Sequence, residues 1–258
     1  MPLSEPAKQD LNFLYDLFDQ EYSHEVLAQV AITLLKAKHP NILKQCVTHF
    51  EKKQIWPILP LGLYGHSGAN GALWSLLNSG SPEQVNQALL ALGLLGNPDT
   101  IDVCIQCLDF SDFAEQAAMA LQLITGADLY EDVFVPEEID PDDLFADELE
   151  KYQKGEPVYP PGEEPGETIS KVVQDPETWK QWYSEHKDQF LPDQRYRYGQ
   201  AISIRSLLEA LKSPKTPHLI RTLIVEELAI QYGIDVKIER NMFVEDQLAA
   251  IQKLMPLQ

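Results

Sequence analysis

The sequence has little of what marks several common protein classes. Only 3 of its 258 residues are cysteine. Three cysteines are too few for a disulfide framework, and an odd number cannot all pair. A reducing cytosol is therefore the expected compartment. No run reaches the roughly 18 uncharged apolar residues that a membrane helix needs. The acidic N-terminus also lacks the apolar core of a secretory signal. These absences predict a cytoplasmic protein.

Positive charge is also scarce. Lys and Arg total 20 against 40 Asp and Glu, a formal charge of −20, and no Lys or Arg lies between Lys53 and Lys151. Duplex nucleic acids and anionic membranes are both bound through Lys and Arg that neutralise phosphates. The charge therefore predicts neither of them as a partner. An acidic surface favours a basic protein partner instead.

The sequence holds no complete catalytic or metal-binding set. Residues 65–69 are one residue from the G-x-S-x-G nucleophile elbow, but two prolines interrupt the strand that should precede it. A serine esterase using Ser67 is therefore a remote alternative. Cys104 and Cys107 form a C-x-x-C without a second pair, which favours buried hydrophobic thiols over a metal or redox site. We predict no catalytic residue, no metal and no cofactor.

Apolar residues make up 44 % of the chain, and over the first 128 residues they recur at helical spacing. One of these stripes comprises Val85, Ala88, Leu89, Leu92 and Leu95. Ser81 and Gln84 around a proline predict a capping box. Further helix starts near residues 97 and 111 leave only short loops, and short loops force neighbouring helices to run antiparallel.

The composition divides the chain into three parts. Residues 1–128 are predicted to form a helical-repeat block, 129–173 an acidic linker, and 174–258 a C-terminal helical block that packs on the first. Between residues 131 and 167 there are 14 acidic residues, two lysines and six prolines, a net charge of −12. We interpret this stretch as a solvated tether. A lid or a partner-binding segment is the alternative for so long a connection.

The run ALGLLGNPDTIDVCIQCL…AEQAAMALQLITG resembles HEAT-like repeats. The later DPETWKQWYSEHKDQF…RYRYGQAISIRSLLEAL and RTLIVEELAI are similar to the C-terminal part of an uncharacterised bacterial family of HEAT-like repeat proteins. The likeness covers roughly residues 60–232 and implies an all-α fold of stacked antiparallel hairpins, an α-solenoid with a C-terminal helical cap. It implies a protein-interaction scaffold, and no active site is carried over from the resemblance.

Two groups of residues are candidates for partner contact. They are Trp179, Trp182 and Tyr183 in an aromatic helix, and Arg195, Tyr196 and Arg197 in the chain's only compact basic cluster. Alternating Arg and Tyr can stack on bases or clamp phosphate. In so acidic a chain we favour an internal use, in which the guanidinium groups pair with the acidic tether or cap helix ends.

These observations predict a non-catalytic scaffold or adaptor in a bacterial multi-protein assembly. Its partner is expected to be another protein with a basic or amphipathic helical segment, and a homodimer is a further option. The alternative is a helical-repeat enzyme of the chromophore-lyase type. A pocket lined by Trp179, Trp182 and Tyr183 would favour that enzyme, whereas a tryptophan packed into the core would favour the scaffold.

Overall fold

The computed structural model describes residues 11–65, 68–137, 139–160, 162, 164–236 and 244–254. It is mostly helical, at 64 %, which confirms the predicted dominance of helix. The helices are α1 (11–15), α2 (His24–Lys36), α3 (Ile42–Glu51), α4 (Ile58–Tyr64), α5 (Ala69–Ser79), α6 (Pro82–Leu95), α7 (Ile101–Cys107), α8 (Ser111–Thr125), α9 (Ala146–Lys154), α10 (Pro176–His186), α11 (Ile204–Lys212), α12 (His218–Glu227) and α13 (Val244–Gln252). A π-helix, Leu228–Tyr232, continues α12. In the described ranges, no helix is both long and apolar enough to cross a bilayer.

Two small antiparallel sheets accompany the helices, so the expectation of a purely all-α chain is wrong. Strands β1 (Tyr130–Pro136) and β2 (Gly166–Val172) form one sheet, and β3 (Tyr196–Arg197) and β4 (Gln200–Ala201) form the other. In the longer pair Val133 lies opposite Ile169, and Glu131 lies opposite Lys171. Such cross-strand pairs stabilise the sheet. The hydrophobic periodicity within one strand does not reveal which strand it pairs with.

The chain divides into two compact units. One contains the residues up to Ala127 and from Gln174 onward, and the other is Asp128–Val173. The second unit spans nearly the stretch predicted as an acidic linker, and it contains β1, α9 and β2. Within the first unit, α12 contacts α4 and the π-helix contacts α2, so C-terminal helices pack on N-terminal ones.

The helix starts follow the local chemistry that the sequence indicates. At α6 the Ser81 hydroxyl accepts from the Gln84 backbone N–H at 3.3 Å, and the Gln84 side chain accepts from the Ser81 N–H at 2.9 Å, which confirms the capping box. At α10 the Asp175 carboxylate accepts from the Thr178 N–H at 2.7 Å. These side chains satisfy backbone donors that have no partner inside the helix.

Helix α6 packs against α4, α5 and α8, and small residues set two of these crossings. A Cβ placed on Gly62 of α4 would lie 2.8 Å from the Ala91 Cβ, and one on Gly93 would lie 2.8 Å from the Ala120 Cα. The backbones therefore approach more closely than side chains would permit. Gly62 therefore permits the close approach of α4 to α6.

Candidate functional site

The basic cluster predicted at residues 195–199 lies against the ends of two helices. The Tyr196 N–H donates to the Gly96 carbonyl at 2.7 Å, at the end of α6. The Tyr198 and Gly199 N–H groups donate to the Leu123 and Ile124 carbonyls of α8 at 2.7 and 3.0 Å. Helix C-termini leave carbonyls without intrahelical partners. The backbone of the segment thus caps α6 and α8 together, whereas the sequence predicts helix capping by the guanidinium groups.

Arg197 extends this capping with its side chain. Its Nη1 donates to the Gly93 carbonyl at 2.7 Å, and its Nη2 donates to the Leu94 carbonyl. Nη2 also pairs with Glu227 Oε2 at 3.0 Å, and neither side chain of this pair is exposed to solvent. A buried ion pair of this kind is held by its accompanying hydrogen bonds.

Arg195 meets the same carboxylate from a second direction. Its Nη2 lies 3.2 Å from Glu227 Oε1, its Nε donates to the Leu95 carbonyl at 2.6 Å, and its Nη1 donates to Gln231 Oε1 at 3.1 Å. Gln231 in turn donates to the Leu63 carbonyl at 2.8 Å and to Glu227. Burial lowers the pKa of the Arg195 guanidinium, against the opposing effect of Glu227.

We call Arg195, Arg197, Glu227 and Gln231 the buried ion cluster. It joins the ends of α4, α6 and α12 inside the first unit. Tyr196 and Arg197 are buried, while the Arg195 side chain is 24 % exposed. The partner role predicted for these residues stays a prediction, and Arg195 is the member that reaches solvent. Sequence reasoning missed Glu227, because a single glutamate in an apolar helical stripe carries no sign that it is buried.

The aromatic helix α10 divides its predicted residues between core and surface. Trp179 is fully buried, whereas Trp182 and Tyr183 are half-buried. Trp182 stacks on His186 with 4.3 Å between ring centroids. Burial, with the nearby Asp102 and Asp99 charges, raises the pKa of the Tyr183 hydroxyl. Two cavities on the first unit, described by their lining residues, do not include Trp179, Trp182 or Tyr183 in that lining.

The residues named in the esterase, metal and redox alternatives are only partly described by the structure. Ser67, the nucleophile of the esterase alternative, lies outside them. Across the described ranges, no group of three or more His, Cys, Asp or Glu side chains is placed to hold a metal ion. Cys46, Cys104 and Cys107 are free thiols, and all three are buried.

These thiols are expected to be unreactive in the folded protein. Burial raises the pKa of Cys46 to about 12, and it raises the pKa values of Cys104 and Cys107 as well. The thiolate is the reactive form. Ellman's reagent at mildly alkaline pH should therefore label almost no native protein, and all three thiols after unfolding in guanidinium chloride. Rapid labelling of one native thiol would contradict this assignment.

The second unit has a different surface chemistry. Between residues 128 and 173 there are 15 acidic residues and three lysines, a net charge of −12. Three aromatic side chains are nevertheless exposed in it, Phe134, Phe145 and Tyr152. Phe145, at the start of α9, is 76 % exposed. The Phe134 ring, by contrast, lies against a neighbouring residue, Gly166 of the paired strand. We call this unit, residues 128–173, the acidic unit.

No family model, curated protein or solved structure matches the chain. The class that the geometry defines is a mainly helical protein with a buried ion cluster and an acidic unit that exposes aromatic side chains.

Proposed function

We propose that this protein is a non-catalytic scaffold that binds a basic or amphipathic helical segment of another protein. From the resemblance noted above we infer that such a scaffold belongs to a bacterial multi-protein assembly. A reducing cytosol suits its three free thiols. The acidic unit is the proposed contact surface, and its exposed aromatic residues carry the proposal.

The helix contacts support a short α-solenoid as the frame of this scaffold. Helix α4 contacts α2 and α6, and α6 contacts α8, so alternate helices form one row. The helices α3 and α5 each contact both of their sequence neighbours in that row, and α7 contacts α8. Contacts between adjacent and next-adjacent helices are typical of stacked hairpins.

Two properties of the acidic unit together favour a basic partner. Its net charge of −12 attracts Lys and Arg over a distance of several ångströms and raises the rate of association. Its exposed aromatic side chains supply the apolar area that dominates the affinity at many interfaces. A purely solvating tether requires the charge but has no use for Phe145 and Tyr152 at the surface.

The test is affinity capture with the full chain, followed by calorimetry with the purified captured protein. Replacing Phe145 and Tyr152 together with serine should weaken binding about tenfold or more, because aromatic residues dominate interface energetics. Added salt should weaken binding of the wild-type protein further.

The matched control is Phe110→Ser, which removes an exposed aromatic side chain from the first unit. It should leave the affinity unchanged. If the double variant and the control bind the captured protein equally well, the acidic unit is not the contact surface. If purified protein binds no protein and turns over a small substrate, the scaffold function is wrong.

A further inference from the structure

A half-open cavity of about 840 Å³ lies in the first unit, between the end of α2, the start of α3, the end of α4 and the buried ion cluster. Its volume falls in the range of small-molecule sites in proteins. Leu35, Ile42, Leu43 and Ile230 give it apolar walls. The apolar part of a ligand in this cavity would therefore lie against these side chains.

The charged side chains that line the cavity are Lys38 and Arg195, and no described residue that lines it is an aspartate or a glutamate. His39 and Gln231 are among its other polar lining residues. The positive charge of the lining is notable in a chain with twice as many acidic as basic residues. The surrounding sequence agrees, since residues 36–65 contain five lysines and one glutamate. The cavity is a cationic site in an acidic protein.

The charge balance of the ion cluster explains why a cation remains at the cavity wall. Two guanidinium groups share the single Glu227 carboxylate, so the cluster keeps a formal charge of +1. Arg197 is enclosed, while the Arg195 side chain is partly exposed and lines the cavity. The guanidinium lies directly against Gly65, where a Cβ would be 2.3 Å from Nη1.

Arg195 also retains hydrogen-bonding capacity. Its bonds to Leu94, Leu95, Glu227 and Gln231 use four of its five N–H groups, and the second Nη1–H has no acceptor in the described part of the chain. The buried Nδ1 of His39 likewise has no partner among the described residues. Buried polar groups are normally hydrogen-bonded, so unused capacity beside a cavity points to a ligand.

We infer that this cavity binds a small organic acid, with its carboxylate at Arg195 and Lys38 and its apolar body against Leu35, Leu43 and Ile230. A carboxylate suits the site better than a phosphate dianion. The apolar walls formed by Leu35, Leu43 and Ile230 would contact the body of an organic acid, whereas inorganic phosphate has no apolar part to place against them.

The test uses 4-phenylbutyrate as the probe, with the uncharged 4-phenylbutanamide as its matched analogue, and measures binding by titration calorimetry and by NMR of the labelled full chain. We expect the acid to bind at least about tenfold more tightly than the amide, since hydrogen bonds to a charged group are the strong ones. Inorganic phosphate should not compete with it. Equal affinities for acid and amide, or no binding of the acid, would overturn the inference.

Two lysines provide a matched pair of variants that preserve the fold. Lys38 and Lys53 both have a left-handed backbone, with φ of 54° and 60°, which asparagine adopts readily. Lys38→Asn should weaken binding of the acid about threefold. Lys53→Asn, at a residue outside the cavity lining, should leave it unchanged. Similar losses in both variants would mean a general charge effect and would overturn the assignment.

Arg195→Gln should reduce the affinity for the acid at least about tenfold and abolish the preference over the amide. A peptide with a free C-terminal leucine is compared with its C-terminal amide. Preferential binding of that peptide without binding of 4-phenylbutyrate would overturn the small-molecule assignment in favour of a chain terminus. These measurements do not involve the acidic unit, so their failure is distinct from a failure of the proposed scaffold function.

Discussion

Replacing Glu227 with glutamine is expected to lower the free energy of unfolding by about 3–5 kcal/mol, the loss typical of removing one partner from a buried ion pair. The substitution keeps the size of the side chain but leaves Arg195 and Arg197 without a counter-charge. Arg197 is fully buried and cannot turn to solvent. Urea unfolding followed by circular dichroism measures this loss.

The matched control for this variant is Glu209→Gln. Glu209 pairs with Lys212 at 3.4 Å, and its side chain is 42 % exposed. Exposed pairs of this kind contribute between zero and about 1 kcal/mol. A loss for Glu227→Gln no larger than for Glu209→Gln would show that the buried ion cluster does not stabilise the fold.

A second substitution separates the effect of charge on stability from the effect of lost hydrogen bonds. Adding Arg195→Gln to Glu227→Gln returns the cluster to a formal charge of +1, the value in the wild-type protein. We expect the double variant to lose less stability than the sum of the two single variants, because the two residues interact directly at 3.2 Å. If the stability losses of the two single variants simply add up in the double variant, the loss comes from missing hydrogen bonds and not from the charge balance.

Replacing Gly96 with alanine is expected to cost about 3–4 kcal/mol of unfolding free energy, through backbone strain and overpacking together. Gly96 ends α6 with a φ of 72°, and a Cβ there would lie 2.2 Å from the Tyr196 carbonyl oxygen. Relief of that clash would move the segment that caps α6 and lengthen the bond from the Tyr196 N–H to the Gly96 carbonyl.

Gly233→Ala is the control that isolates the packing contribution. Gly233 has a φ of 70° at the end of the π-helix, and its Cβ would meet no atom of the described residues within 4 Å. Only the conformational penalty of about 1–2 kcal/mol should appear there. Chemical unfolding of both variants gives the comparison. Equal losses would mean that the contact between Gly96 and Tyr196 contributes nothing.

Local signals identified the helices well because the information lies within a few residues. The capping box at Ser81 and Gln84 is an example, since the residues that satisfy the helix start are within one turn of it. The acidic unit was harder to predict. Val133 and Ile169 pair across 36 positions of chain, and the acidic and proline-rich composition around them indicated a tether rather than a hairpin.

The candidate sites depended still more on distant contacts. The sequence marked Arg195 and Arg197 as a basic cluster and favoured their internal use, but it named neither Glu227 nor the carbonyls of α6 as their partners. Lys38 and His39 follow α2 and give no local sign of a site. They meet Arg195 only because the fold brings the end of α2 beside the end of α4.

The amino-acid sequence by itself determined the helical character, the helix starts and the separation of charge, because each is a property of neighbouring residues. Only the tertiary structure decided which guanidinium groups are buried, which carboxylate they share and where a cation remains beside a cavity. The physical reason is that burial and charge compensation depend on residues that can lie a hundred positions apart, such as Arg195 and Leu95, whose proximity exists only in the folded chain.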